Sequence, residues 1–153
     1  MVTLFPNLQV LEVNYISESP GYAQFGGFID DATRTQYRAL NVGAQATHGQ
    51  RWSSLRDVLG TAASLWTFGL VCPTSYLELI YQRTDSVEMI RTVLADVQPQ
   101  RLKLNLTHHP ETAVNLTALG EVAIPTLESL EVNVHMIEGA NILMPMVSLL
   151  VRL

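Results

Sequence analysis

The sequence predicts an α/β solenoid, with short strands stacked in one parallel sheet and joined by helical returns. Three observations predict it. The segment FPNLQVLEVN at Phe5–Asn14 is echoed 119 residues later by IPTLESLEVN at Ile124–Asn133. Aligned without gaps, the two share Pro6/Pro125, Leu8/Leu127, Leu11/Leu130, Glu12/Glu131, Val13/Val132 and Asn14/Asn133. Weaker copies of the shared P-x-L-x-x-L-x-V pattern lie between them, and the stretches separating the copies carry helical periodicity. A short unit that cannot bury its apolar side alone gains stability by stacking on its neighbours.

The elements follow in chain order. In the first strand Leu11 and Val13 alternate with Glu12 and Asn14, so in an extended chain the first pair faces a core and the second faces out. The region Ser17–Thr35 holds Pro20, Gly21, Gly26 and Gly27 with no clean period, and reads as a long loop or irregular return. The segment QYRALNV supplies the second strand, with Tyr37, Leu40 and Val42 in the frame of the repeat. Ser53–Leu65 reads as a helix, because Leu55, Val58, Leu59, Ala62 and Leu65 fall on one face and Ser53 or Ser54 is a ready N-cap. The uncharged run Val58–Cys72 is 15 residues long. A membrane span needs about 20 apolar residues, so the run reads as a buried core helix.

The segment PTSYLELIY gives a third strand through Leu77 and Leu79. Asp85–Val97 is a second helix, with Val87, Ile90, Val93, Leu94 and Val97 on one face, Asp85 or Ser86 as cap and Pro99 just past its end. QPQRLKLNL is a fourth strand, with Leu104 and Leu106 inward and Lys103 and Asn105 outward. Thr112–Val122 is a shorter helix. In the fifth strand Leu130, Val132 and Val134 point inward, and Glu131, Asn133 and His135 outward. Ile142–Leu153 is apolar and closes the chain. Anchors at Leu11, Leu40, Leu77, Leu104 and Leu130 stand 29, 37, 27 and 26 residues apart.

At these residues the chain looks like a set of leucine-rich repeats, and its irregular unit lengths resemble the repeat half of fungal F-box/leucine-rich-repeat proteins. The resemblance implies a short leucine-rich-repeat solenoid, a single domain over residues 1–153 that is incomplete at one or both ends. The chain opens inside its first repeat and ends on the apolar NILMPMVSLLVRL. The function implied is protein binding without catalysis, as the substrate-recognition part of an F-box-type ubiquitin-ligase adaptor, although no F-box segment is visible. The alternative is a stand-alone structural module that oligomerises through uncapped apolar ends.

Composition narrows the chemistry. Leucine accounts for 22 of 153 residues, and charged residues for 15%, against about 25% in an average domain. Nine basic and 14 acidic groups give a net charge of −5, with Lys103 the only lysine. That balance argues against a nucleic-acid partner, which needs clustered cations. Cys72 stands alone, which excludes an intramolecular disulfide framework, and it reads as a buried structural thiol. The N-terminus lacks the basic region of a signal peptide, so a cytoplasmic or nuclear location without membrane association is expected. The sequons at Asn105 and Asn115 then read as chance matches.

No catalytic residue, cofactor or metal site is expected. His108 and His109 are adjacent and would point to opposite sides of a strand; His48 and His135 lie elsewhere. Asp30-Asp31 reads as a solvated loop and Gly26-Gly27 as a turn. No G-x-S-x-G, phosphate-binding loop or H-E-x-x-H occurs. The better candidates are outward strand positions, with Gln9 at their margin: Glu12, Asn14, Asn41, Glu78, Lys103, Asn105, Glu131 and Asn133. Their mixture of carboxamides, carboxylates and one ammonium suits a polar protein partner.

Overall fold

A computed structural model describes residues 7–13, 30–48, 52, 55–81, 85–108, 123–136 and 147–152. Alternating sequence builds its centre. Strands β1 (Val10–Val13), β2 (Asp57–Thr61), β3 (Tyr76–Tyr81), β4 (Arg101–His108), β5 (Ser129–Met136) and β6 (Val147–Arg152) form one sheet in chain order. The first five run parallel, and β6 runs antiparallel to β5. Register aligns Leu11, Val58, Leu77, Leu102 and Leu130 in one row, and Val13, Gly60, Leu79, Leu104 and Val132 in another. Both rows share one face of the pleat.

Among the described residues, α2 (Ala62–Phe68) and α3 (Val87–Val97) pack on that face, and α1 (Asp31–His48) docks against α2. Parallel crossovers are right-handed, so a strand order that never reverses returns every helix to the same side. Leu65 of α2 and Ile90, Val93, Leu94 and Val97 of α3 join Val58, Leu77, Leu79, Leu102, Leu104 and Leu106 in one core, none more than 4% exposed. Cys72 belongs to this core at 3% exposure, as a structural thiol should.

Local chemistry fixes each helix. Ser86 caps α3 by accepting from the Met89 amide at 3.1 Å, and Gln98 ends it in the left-handed region at φ 44°. Strand β2 passes directly into α2. Thr61 ends the strand and caps the helix through the Ser64 amide at 3.2 Å, while the buried Asp85 carboxylate takes the Ala63 amide at 2.9 Å. This abrupt turn seats Leu65 against its own strand. A Cβ at Gly60 would lie 2.9 Å from the Val13 carbonyl oxygen and 3.1 Å from Leu65 Cγ, so the position requires glycine. The Asp30 carboxylate accepts from the Thr33 amide at 2.7 Å, so Asp30 is the N-cap of α1 and Asp31 its first residue; the pair is solvated, as expected, but opens a helix rather than lying in a loop. Helix α1 docks through polar side chains. Arg38 donates to the Trp66 carbonyl and pairs with Asp96, and Gln45 bridges the Gly69 carbonyl and the Val71 amide.

The repeat solenoid and the resemblance to F-box/leucine-rich-repeat proteins are therefore corrected: the chain is a compact α/β domain built on a single sheet. The anchor Leu40 lies in α1 and is 61% exposed, so QYRALNV is helix and not strand. The segment read as one helix from Ser53 is divided into strand β2 and the short α2, and the supposed core helix Val58–Cys72 goes with it. The level of Leu130 on β4 is held by Leu102 rather than Leu104. Equivalent positions are spaced 47, 19, 25 and 28 residues along the chain from Leu11 to Leu130. A repeat presents equal units to its neighbours; these units differ in helix length and docking chemistry, and β6 reverses direction. Within the apolar C-terminal segment, Val147–Arg152 pairs along β5 as that last strand. Helix α3 and strands β1, β3, β4 and β5 stand where alternation and periodicity place them. The helix expected at Thr112–Val122 falls outside the described residues.

Candidate interaction face

The residues that alternate with the core rows make the opposite face of the sheet, where no described helix packs. Register places Glu12, Leu59, Glu78, Lys103 and Glu131 in one row across five strands. Asp57, Tyr76, Arg101 and Ser129 form the row toward the strand starts, and Ile80, Asn105 and Asn133 the row toward the strand ends.

Over β3, β4 and β5 these side chains are joined. Tyr76 donates its hydroxyl to Glu78 at 2.9 Å, and Asn105 donates to the other Glu78 oxygen at 2.6 Å. Asn133 donates to Asn105 Oδ1 at 3.1 Å and to Glu131 at 3.0 Å. Lys103 Nζ stands between two carboxylates, 3.8 Å from Glu78 and 3.9 Å from Glu131. The Arg101 guanidinium lies over the Tyr76 ring, 5.5 Å from its centroid. Cross-strand neighbours within reach of one another stabilise a sheet pairwise. Here the same contacts also hold the polar side chains of this surface to one another.

The electrostatics follow from this packing. Burial pushes the Tyr76 hydroxyl well above its ordinary pKa, and the bond to Glu78 and the charges of Glu78 and Glu131 push it further, against Arg101. Tyr76 therefore stays protonated as a donor at neutral pH and is no general base. Tyr81, whose side chain packs at the covered face, is raised by burial first and then by the Asp85 charge.

Of the residues expected to face a partner, Glu78, Lys103, Asn105, Glu131 and Asn133 come together in this cluster. Glu12 holds the same row on β1 at the sheet edge. Asn41 does not join them: it lies on α1 and donates to the Thr67 carbonyl at 3.4 Å. Asn14 lies outside the described residues. Alternation alone points to Tyr76 and Arg101 as well, each two residues before a chosen position, but their sequence carries no repeat signature. His48, His108 and His135 fall in α1, β4 and β5, and His109 lies outside the described residues. Among the described residues no group of three His, Cys, Asp or Glu side chains is placed to hold a metal ion, and no helix is long and apolar enough to cross a membrane. The chain matches no family model, no curated protein and no solved structure.

Proposed function

We propose that the chain is a non-catalytic protein-binding module that offers the open face of its sheet to a partner carrying basic side chains. The observation that supports this reading is the joined polar cluster of Tyr76, Glu78, Asn105, Asn133, Glu131 and Lys103 on a face where no described helix packs. Ordering side chains at an interface costs roughly 0.5–1.5 kcal/mol each, and here the protein's own hydrogen bonds have already met much of that cost. The charge on the face gives the partner its sign. Glu12, Asp57, Glu78 and Glu131 outnumber Arg101, Lys103 and Arg152, which register sets opposite Ser129, so lysine and arginine side chains are the complementary groups. Such complementarity acts mainly on encounter rate and specificity, and it weakens as salt is added.

Affinity capture with charge variants tests the reading. A partner held by the wild-type chain is retained by Ala95→Lys, a change on the exposed side of α3. It is lost by Glu131→Lys, and binding to the wild type falls as ionic strength rises. Equal capture by the two variants would exclude this face as the binding surface.

A further inference from the structure

The helices of this chain are not held alike. In α3 the buried residues are Ile90, Val93, Leu94 and Val97, none more than 3% exposed. In α1 the buried residues, among those described, are the polar Arg34 and Gln45, while Tyr37 and Leu40 face solvent. The apolar core and the partly buried side chains packed on it include residues of α2, α3 and five strands, but none of α1.

Polar contacts tie α1 to α2, to the turn that follows α2 and to the end of α3. Arg38 donates to the Trp66 carbonyl at 2.9 Å, pairs with the Asp96 carboxylate and lies over the Trp66 ring, 5.2 Å from its centroid. Gln45 donates to the Gly69 carbonyl at 2.6 Å and accepts from the Val71 amide at 3.1 Å. Asn41 adds a longer bond to the Thr67 carbonyl at 3.4 Å. Beside these contacts a gap of about 270 Å³ stays open, walled by Val13, Tyr37, Ala63 and Phe68 among others. A close-packed interior leaves few voids larger than a water molecule.

These differences decide how the helix opens. A helix in a protein draws most of its stability from a packed apolar face, and α1 gives no side chain to the core. Its own sequence helps little, because Thr33, Thr35, Asn41, Val42 and Gly43 are weak helix formers. Each polar contact contributes little net free energy, since undocking returns its groups to water. Segments with few buried apolar contacts open locally, ahead of the fold as a whole.

We infer that α1 is a detachable element, which undocks and unwinds as a unit while the sheet, α2 and α3 stay folded, with Arg38 as its latch. Opening frees the Trp66 ring, the Trp66 and Thr67 carbonyls and the turn at Gly69–Val71. Access to this surface is therefore set by a polar latch that is separate from the open face of the sheet. Amide hydrogen exchange of the full chain, read residue by residue, is the test. Amides of α1 are expected to be at least roughly a hundredfold less protected than those of α3 and β3. Arg38→Met destabilises the docked state and speeds α1 exchange roughly tenfold. Gly43→Ala works the other way. A Cβ there meets nothing within 4 Å, so the gain in helix propensity slows α1 exchange roughly fivefold. Ile90→Val, in the core, destabilises the docked and the α1-open states alike. It speeds α3 and β3 exchange about three- to tenfold and leaves α1 exchange unchanged. Equal protection of α1 and β3 overturns the inference, as does an Ile90→Val chain in which α1 exchange rises by the same factor as that of α3. An Arg38→Met chain with unaltered α1 exchange overturns the latch.

Discussion

The two faces of the sheet are made by alternate residues of the same strands, yet they are stabilised by different physics. On β3 the covered face takes Leu77 and Leu79, which are 0% and 1% exposed and belong to the apolar core. The open face takes Tyr76 and Glu78, which are half-buried and held by hydrogen bonds. Burial of a leucine contributes about 1.5–3 kcal/mol without regard to direction. A hydrogen bond contributes about 0.5–1.5 kcal/mol net, and only at the right geometry. The covered face therefore supplies stability, and the open face supplies a defined arrangement of polar groups at small stability cost.

The sharpest way to break this contrast is to remove Leu77. Its side chain is fully enclosed between β2, β4 and the helices, so Leu77→Ala leaves a cavity the surroundings cannot fill. The expected loss is about 3–5 kcal/mol, a large part of the stability of a domain this size. Urea unfolding followed by circular dichroism measures it. A loss below about 1 kcal/mol would mean that the core collapses to fill the site, contrary to its packing.

On the open face the corresponding loss is smaller. Asn133 is 8% exposed and donates to both Asn105 and Glu131. Asn133→Ala removes two bonds and leaves Asn105 Oδ1 short of a donor, for an expected cost of about 1–2 kcal/mol. Asn133→Asp separates geometry from charge, because it keeps the shape but sets a third carboxylate beside Glu131. A penalty from Asn133→Ala as large as that from Leu77→Ala would show that both faces carry the fold alike.

How much of this was legible follows from the same contrast. The covered face announces itself wherever apolar residues alternate, as in β3, β4 and β5, or recur at helical spacing behind a cap, as in α3 behind Ser86. The open-face cluster is legible for the same reason, since Glu78, Lys103, Asn105, Glu131 and Asn133 are the out-of-phase residues of those strands. Strand β2 is hidden because Val58, Leu59, Ala62 and Leu65 satisfy a helical period across the strand–helix junction. The sole punctuation is Gly60-Thr61, whose meaning depends on the Val13 carbonyl 2.9 Å away from a Cβ there. Helix α1 is hidden because Arg38, Asn41 and Gln45 dock it through hydrogen bonds, while Tyr37 and Leu40, which read as inward strand residues, face solvent at 47% and 61% exposure.

The subtlest difference between the faces is in their tyrosines. Tyr76 on the open face and Tyr81 on the covered face both titrate above the ordinary tyrosine value of 10.0. At a pH above that value the unfolded chain gives up these protons while the folded chain keeps them. Stability is therefore intact below about pH 10 and falls as pH rises beyond it. Tyr76→Phe costs about 1 kcal/mol at neutral pH through the lost bond to Glu78, but it also deletes one titrating group. The stability gap between wild type and Tyr76→Phe should close as pH is raised from about 9 to 11, and Tyr81→Phe should likewise soften the alkaline fall. Glu78→Gln distinguishes the causes. It removes the carboxylate that helps raise Tyr76, so the alkaline fall shrinks by that share and keeps the share due to burial, whereas the contribution of Tyr81, whose charged neighbour is Asp85, is unchanged. A gap that stays constant across this range would mean that Tyr76 is solvated like a free tyrosine, and that the open face is not preorganised around it.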